Sequence, residues 1–200
     1  MKQIYLIGGP NGAGKTTAAL QLLPKFLLLN EFVNADEIAK GLSPFNYESM
    51  APTASKLMIQ RMATLTQAGK SFAFETTCAG TNYVKQIHNW KEKGYIFSLI
   101  FLWLPTPAMA QSRVKRRVRQ GGHNVPDETI ERRFYSGIRN LLQHYLPLAD
   151  KAIVFNSTEP FCDVQSNTVI AEKSHDKKLI IHNELLWKTI QEQGYGIIKR

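Results

Sequence analysis

Apolar residues fall in short compact runs separated by longer amphipathic stretches. The runs are Ile4-Tyr5-Leu6-Ile7, Phe32-Val33, Ser71-Phe72-Ala73-Phe74, residues 95–104 and residues 151–155. They suit strands, and the longest, YIFSLIFLWL, reads as a strand buried on both faces. The intervening stretches repeat with helical spacing. Ala54, Met58, Met62 and Leu65 share one face, as do Ile130, Phe134, Ile138, Leu141 and Tyr145. Pro24, Gly69 and Gly94 are expected to end helices, and Pro52 and Pro126 to open them. The predicted order is strand 3–7, helix 15–23, strand 32–33, short helix 38–42, helix 52–68, strand 71–74, helix 83–93, strand 95–104, basic helix 107–120, long helix from 126, and strand 151–155. A hairpin of 168–172 against 178–182 and a helix over 184–193 follow. Strands alternating with helices predict an α/β fold in three layers, a mostly parallel sheet with helices on both faces, as a single domain over residues 1–200.

The turn between the first strand and the first helix carries the strongest signal. Gly9-Pro10-Asn11-Gly12-Ala13-Gly14-Lys15-Thr16 matches G-x-x-x-x-G-K-[ST], a phosphate-binding loop, and Thr17 continues it. Glycines let backbone N–H groups turn inward around an anion, and the following helix points its positive end at the same place. Lys15 is expected to reach the β- and γ-phosphates of ATP, and the Thr16 hydroxyl to meet Mg²⁺.

In parallel sheets of this kind, ligands lie at the carboxyl ends of the strands. That rule brings Asp36, Glu75, Thr76, Thr77 and Asn156 toward the loop. Asp36 is a candidate to accept the proton of an attacking hydroxyl; its plainer role is a helix N-cap. Glu75 ends an apolar strand and is a candidate for the metal side or for a substrate hydroxyl; alternatively it is a solvated strand-end carboxylate. Thr77 offers a hydroxyl to the substrate.

Charge narrows the partners. The chain carries a net charge of +9, which favours an anionic ligand. Residues 113–133 concentrate it: Arg113, Lys115, Arg116, Arg117, Arg119, Arg132 and Arg133. With Gly121-Gly122 as a hinge, residues 107–133 read as an Arg-rich lid over the triphosphate, in which Arg113, Arg117 and Arg133 are candidates to meet transition-state charge. Some of these arginines simply form a solvated face. No aromatic platform is woven among them, which argues against nucleic acid. The two cysteines, Cys78 and Cys162, lack metal-type spacing and read as free thiols of a reducing compartment. With a strand starting at once no leader is expected, no run is long enough to span a membrane, and the expected location is cytoplasmic.

The ordered set GGPNGAGKTT (8–17), VNADEIAKGLSP (33–44), FETT (74–77), SRVKRRVRQGGHNVPDETIERRF (112–134) and FNS (155–157) resembles the zeta-toxin family of P-loop kinases. The resemblance implies a P-loop kinase fold and ATP- and Mg²⁺-dependent phosphorylation of a hydroxyl. The acceptor it implies is a small anionic molecule such as the nucleotide-sugar UDP-N-acetylglucosamine, and an antitoxin protein becomes a candidate partner. It matches Lys15 and Thr16 to ATP and the metal, Asp36 to the base, Glu75 and Thr77 to substrate- and metal-side groups, and Arg113 to a lid arginine. One position departs: His123 stands where the toxins place a second lid arginine, with Arg117, Arg119 or Arg133 as substitutes. Other readings of the residues are a kinase for a nucleoside, an antibiotic or another small molecule, and a non-catalytic ATP- or nucleic-acid-binding P-loop protein.

Overall fold

The computed structural model describes residues 1–25, 27–122, 124–159, 169–175 and 178–196. His123, Cys162 and Thr168, singled out above, lie outside the described residues. The strands are β1 (Gln3–Gly8), β2 (Phe32–Val33), β3 (Phe72–Thr76), β4 (Ile96–Trp103), β5 (Lys151–Asn156), β6 (Val169–Lys173) and β7 (Ile180–Ile181). They form one sheet in the order β2-β3-β1-β4-β5-β6-β7. The first five are parallel, and β6 and β7 add antiparallel at one edge. The C-terminal hairpin expected from the sequence is therefore also an extension of the main sheet.

The helices are α1 (Lys15–Lys25), α2 (Ala35–Leu42), α3 (Ala51–Gln67), α4 (Val84–Glu92), α5 (Pro107–Arg119), α6 (Asp127–Asn140), the short α7 (Leu146–Leu148) and α8 (Glu184–Tyr195). Period-two alternation sorts them onto the two faces. Ile7 and Ala73 pack with Ala19 and Leu23 of α1. Phe72 and Phe74, pointing the other way, join Met58 and Met62 of α3 and Trp90 of α4. Phe72 meets the Trp90 ring edge-on at 5.5 Å between centroids, a favoured aromatic geometry. In β4 seven consecutive residues, Phe97–Trp103, are buried, as a central strand covered on both faces requires.

Two local expectations differ from the structure, and a third gains detail. Pro24 does not end α1, which runs on to Lys25. The long helix from 126 is interrupted by a π-helical turn at Leu141–Tyr145, although its apolar face is buried as the spacing predicts. The third concerns Gly121-Gly122. Gly121 has φ +83°, its N–H donates to Val118 O at 2.9 Å, and the Gly122 N–H donates to Arg117 O at 3.0 Å. That pair of bonds is a Schellman cap closing α5, so the basic helix ends where the sequence predicts and the glycines proposed as a hinge form its cap. The supposed lid is docked at its start: Ala110 and Val114 of α5 are buried. No helix among the described residues is long and apolar enough to cross a membrane.

Candidate active site

The phosphate loop turns between β1 and α1. Gly9 has φ +140°, and a Cβ there would stand 2.3 Å from the Leu102 carbonyl oxygen, so no other residue fits. The loop is also pressed against α5: at Gly12 a Cβ would lie 2.8 Å from Ala110 O. Lys15, the first residue of α1, is buried. Its Nζ donates to Pro10 O at 3.0 Å and lies 3.7 Å from Glu75 Oε1.

Glu75 sits at the carboxyl end of β3, paired with Ile7 of β1. On its other side Val33 of β2 pairs with Phe74, which sets Asn34 beside Glu75. Glu75 Oε2 accepts from Thr16 Oγ1 at 2.7 Å and from Asn34 Nδ2 at 2.8 Å. One carboxylate thus ties the ends of β2 and β3 to the first turn of α1. Asn34, which was not among the expected site residues, also caps α2, its Oδ1 accepting from Asp36 N at 2.8 Å and Glu37 N at 3.3 Å. Asp36 itself lies in the first turn of α2, so the cap suggested for Asp36 belongs to Asn34. This leaves the Asp36 carboxylate exposed and favoured by the helix N-terminus.

Two cavities flank this cluster. One, of about 260 Å³, is lined by Gly12, Ala13, Gly14, Lys15, Thr16, Thr17, Arg113, Arg116 and Ser157, among others. The other, of about 410 Å³, is lined by Asn11, Asn34, Asp36, Ser55, Thr76, Thr77, Asn82, Tyr83 and Arg133, among others. Lys15, Glu75 and Arg117 border both. Asn11, Ala13, Lys15, Thr16, Thr17, Asp36, Glu75, Thr76, Thr77, Arg113, Arg117 and Arg133 thus line one cavity or the other, whereas Pro10, Arg119 and Asn156 line neither. Among the lid arginines, Arg117 lies where the two meet and Arg133 on the second.

Arg113, on the wall of the first cavity, is held by backbone carbonyls. Its Nη1 donates to Ser157 O at 2.7 Å and its Nη2 to Thr158 O. Burial, with Arg116 nearby, draws its pKa below the usual arginine value. Ser157 Oγ in turn donates to Ala13 O at 2.7 Å, so Arg113 and Ser157 clamp the end of β5 onto the phosphate loop. The sequence signals for Ser157 were its place after the fifth strand and its inclusion in the FNS stretch, neither of which assigned it a role.

The second cavity owes its shape to the turn after β3. Cys78 there is fully buried with φ +58°, and burial pushes its thiol up to about 12. Asn140 Nδ2 donates to Cys78 O at 2.9 Å, and Tyr145 Oη, from the π-helical turn, donates to Gly80 O at 2.6 Å. Gly137 of α6 comes so close that a Cβ would be 2.6 Å from Thr77 O.

Among the described residues there is no group of three or more His, Cys, Asp or Glu able to hold a metal. The neighbouring Thr16 hydroxyl and Glu75 carboxylate are hard oxygen donors, however. Such a pair, completed by phosphate oxygens and water, fits Mg²⁺.

A family model described as zeta toxin matches residues 1–170. Among solved structures, the AvrRxo1-ORF1:-ORF2 complex with ATP is similar over 100% of this chain, with a TM-score of 0.72 and 14% identity; this chain spans 66% of that one. The PezAT chromosomal toxin–antitoxin system of Streptococcus pneumoniae matches over 100% of this chain and 81% of its own, with a TM-score of 0.66 and 18% identity. A putative kinase from Chloroflexus aurantiacus matches over 66% of this chain and 76% of its own, with a TM-score of 0.53 and 18% identity. At these identities the structures speak for the fold, that of the P-loop kinases. The family match covers most of the chain, and the protein belongs to the zeta toxin family.

Proposed function

We propose that the protein is an ATP-dependent phosphotransferase that moves the γ-phosphoryl group onto a hydroxyl of a small, polar, anionic acceptor. The observation that carries this reading is the pair of cavities that meet at Lys15, Glu75 and Arg117. A site that only held or hydrolysed ATP would need the first alone. In the second, carboxylate, amide and hydroxyl groups stand opposite the phosphate loop, with Arg133 and Arg117 supplying positive charge.

The steps assigned to this chain are these. Backbone N–H groups of residues 12–16 hold the phosphates, and Lys15 leaves Pro10 O to meet the β- and γ-oxygens. Asp36 orients the acceptor hydroxyl and takes its proton as the new P–O bond forms. Arg117 and Lys15 meet the charge spread over the transferred group. Arg113 braces the loop through residues 157 and 158. Thr16, with Glu75 through water, would hold Mg²⁺, which when bound neutralises charge on the β- and γ-phosphates.

An acceptor rich in hydroxyls and carrying negative charge suits the second cavity, and family membership makes UDP-N-acetylglucosamine the first molecule to try. Such a substrate places the activity in the cytoplasm. The PezAT likeness supports a cognate antitoxin as protein partner. The test is incubation with Mg²⁺-ATP and a panel of nucleotide-sugars, sugar phosphates and nucleosides, followed by mass spectrometry. Gain of one phosphoryl group by UDP-N-acetylglucosamine supports the full reading. Gain by another acceptor keeps the kinase and removes that sugar. No product from any acceptor, with ATP bound, removes the kinase.

A further inference from the structure

Asn34 plays no part in the phosphate-loop signature, yet both polar atoms of its buried side chain are used inside the site. Its Oδ1 fixes the start of α2 through the Asp36 and Glu37 N–H groups. Its Nδ2 donates to Glu75 Oε2 at 2.8 Å and lies 3.4 Å from Thr16 Oγ1. Capping alone does not explain an amide, since Ser, Thr or Asp accepts the same backbone bonds. The donated bond does. Ser and Thr side chains are too short to cap α2 and reach Glu75 together, and Asp would set one carboxylate against another.

Glu75 has three partners here: Thr16, Lys15 and Asn34. When a triphosphate enters, Lys15 turns to the phosphates and the Thr16 hydroxyl turns to the metal side. Asn34 is the partner that stays. We propose that Asn34 is a positioning residue that holds Glu75 on the nucleotide side and Asp36 on the acceptor side in one fixed relation. The inference rests on the phosphotransferase reading for its meaning, and its test does not need an acceptor.

The experiment is calorimetric titration of ATP into the full chain, with Mg²⁺ and with EDTA, for the unaltered protein, Asn34→Ser, Asn34→Ala, Glu75→Ala and the double variant Asn34→Ser/Glu75→Ala. Serine keeps the cap and loses the bond to Glu75. The Mg²⁺-dependent gain in ATP affinity should fall about tenfold or more in Asn34→Ser, with affinity in EDTA unchanged and the melting temperature lowered only by the one lost bond. Asn34→Ala should show the same fall and a lower melting temperature. In the Glu75→Ala background the serine substitution should cost nothing further, because both changes remove one interaction.

Full Mg²⁺ dependence in Asn34→Ser overturns the inference, as do losses from Asn34→Ser and Glu75→Ala that simply add. No Mg²⁺-dependent gain in the unaltered protein overturns it as well. If the serine variant does not fold, Asn34→Thr repeats the measurement, and failure of both to fold makes the residue structural and ends the proposal. Absence of phosphoryl transfer to every acceptor would remove the kinase reading and leave this binding cycle decisive on Asn34.

Discussion

Gly137→Ala tests whether the acceptor cavity is shaped from behind by α6. The added methyl would stand 2.6 Å from Thr77 O, where ordinary contact starts at 3.4 Å, so helix and carbonyl must part by about 0.8 Å. The carbonyl has little freedom to retreat. The next residues are held by Asn140 at Cys78 O and by Tyr145 at Gly80 O, and Cys78 already has a left-handed backbone. Overpacking of this kind costs about 1–3 kcal/mol. Alanine's better helix propensity returns about 1 kcal/mol, so the net loss lies between about 0 and 2 kcal/mol, toward the upper end because neither side of the contact is free to move. The functional effect should be larger than the stability effect. Thr77 lines the acceptor cavity, and a displacement of about 1 Å at a positioned group costs on the order of 10²-fold in rate. Urea unfolding, ATP calorimetry and steady-state kinetics with the acceptor separate the terms. Lower stability, unchanged ATP affinity and a fall of about 10–100-fold in kcat/KM for the acceptor are expected. A Gly137→Ala protein as stable as its parent or more so, with unchanged acceptor kinetics, would refute the reasoning.

Asp36→Asn should keep ATP binding and lower phosphoryl transfer by about 10²–10⁴-fold; undiminished transfer removes Asp36 from the role of base. Ser157→Ala deletes the bond to Ala13 O, worth about 1 kcal/mol, and should weaken ATP binding roughly fivefold by calorimetry; unchanged affinity would mean the clamp does not hold the loop. Cys78 keeps its proton in the folded protein up to about pH 12, while a free thiol ionises near 9.0. The unfolded chain therefore loses the proton first, and stability should fall as pH rises from about 9 toward 12. Cys78→Ala should flatten that slope in melts across this range, and a slope retained in full would assign it to other groups.

Strand positions were readable because period-two runs and helical spacing are local. So was the phosphate loop, whose glycines answer to φ values and contacts that only glycine tolerates. What was not readable depends on which strand lies beside which. Asn34 and Glu75 are 41 residues apart, and Ser157 and Ala13 are 144 apart. Only the order β2-β3-β1-β4-β5 brings those ends together, and a single sequence does not contain that order. Asp36 and Glu75 could be picked out as strand-end carboxylates, but the amide that joins them could not.

The arginine segment shows a second limit, since counting charge does not say what each charge is used for. Arg113 satisfies its terminal nitrogens on two backbone carbonyls. Four residues on, Arg117 lies at the boundary of both cavities. Helical spacing put the two on one edge of α5, and equal composition made them equal candidates. The distinction comes from the clamp at residues 157 and 158, which takes the arginine nearer the start of the helix. The next turn then carries a cation to the place where a phosphoryl group would pass from one cavity to the other. The Schellman cap at Gly121-Gly122 ends α5 just beyond it, so Arg117 reaches that boundary from the capped last turn of a helix. On this geometry, changing Arg117 should damage transfer more than changing Arg113, whose loss should show first in nucleotide affinity. Equal effects of Arg117→Ala and Arg113→Ala on both quantities would undo the division of roles between them.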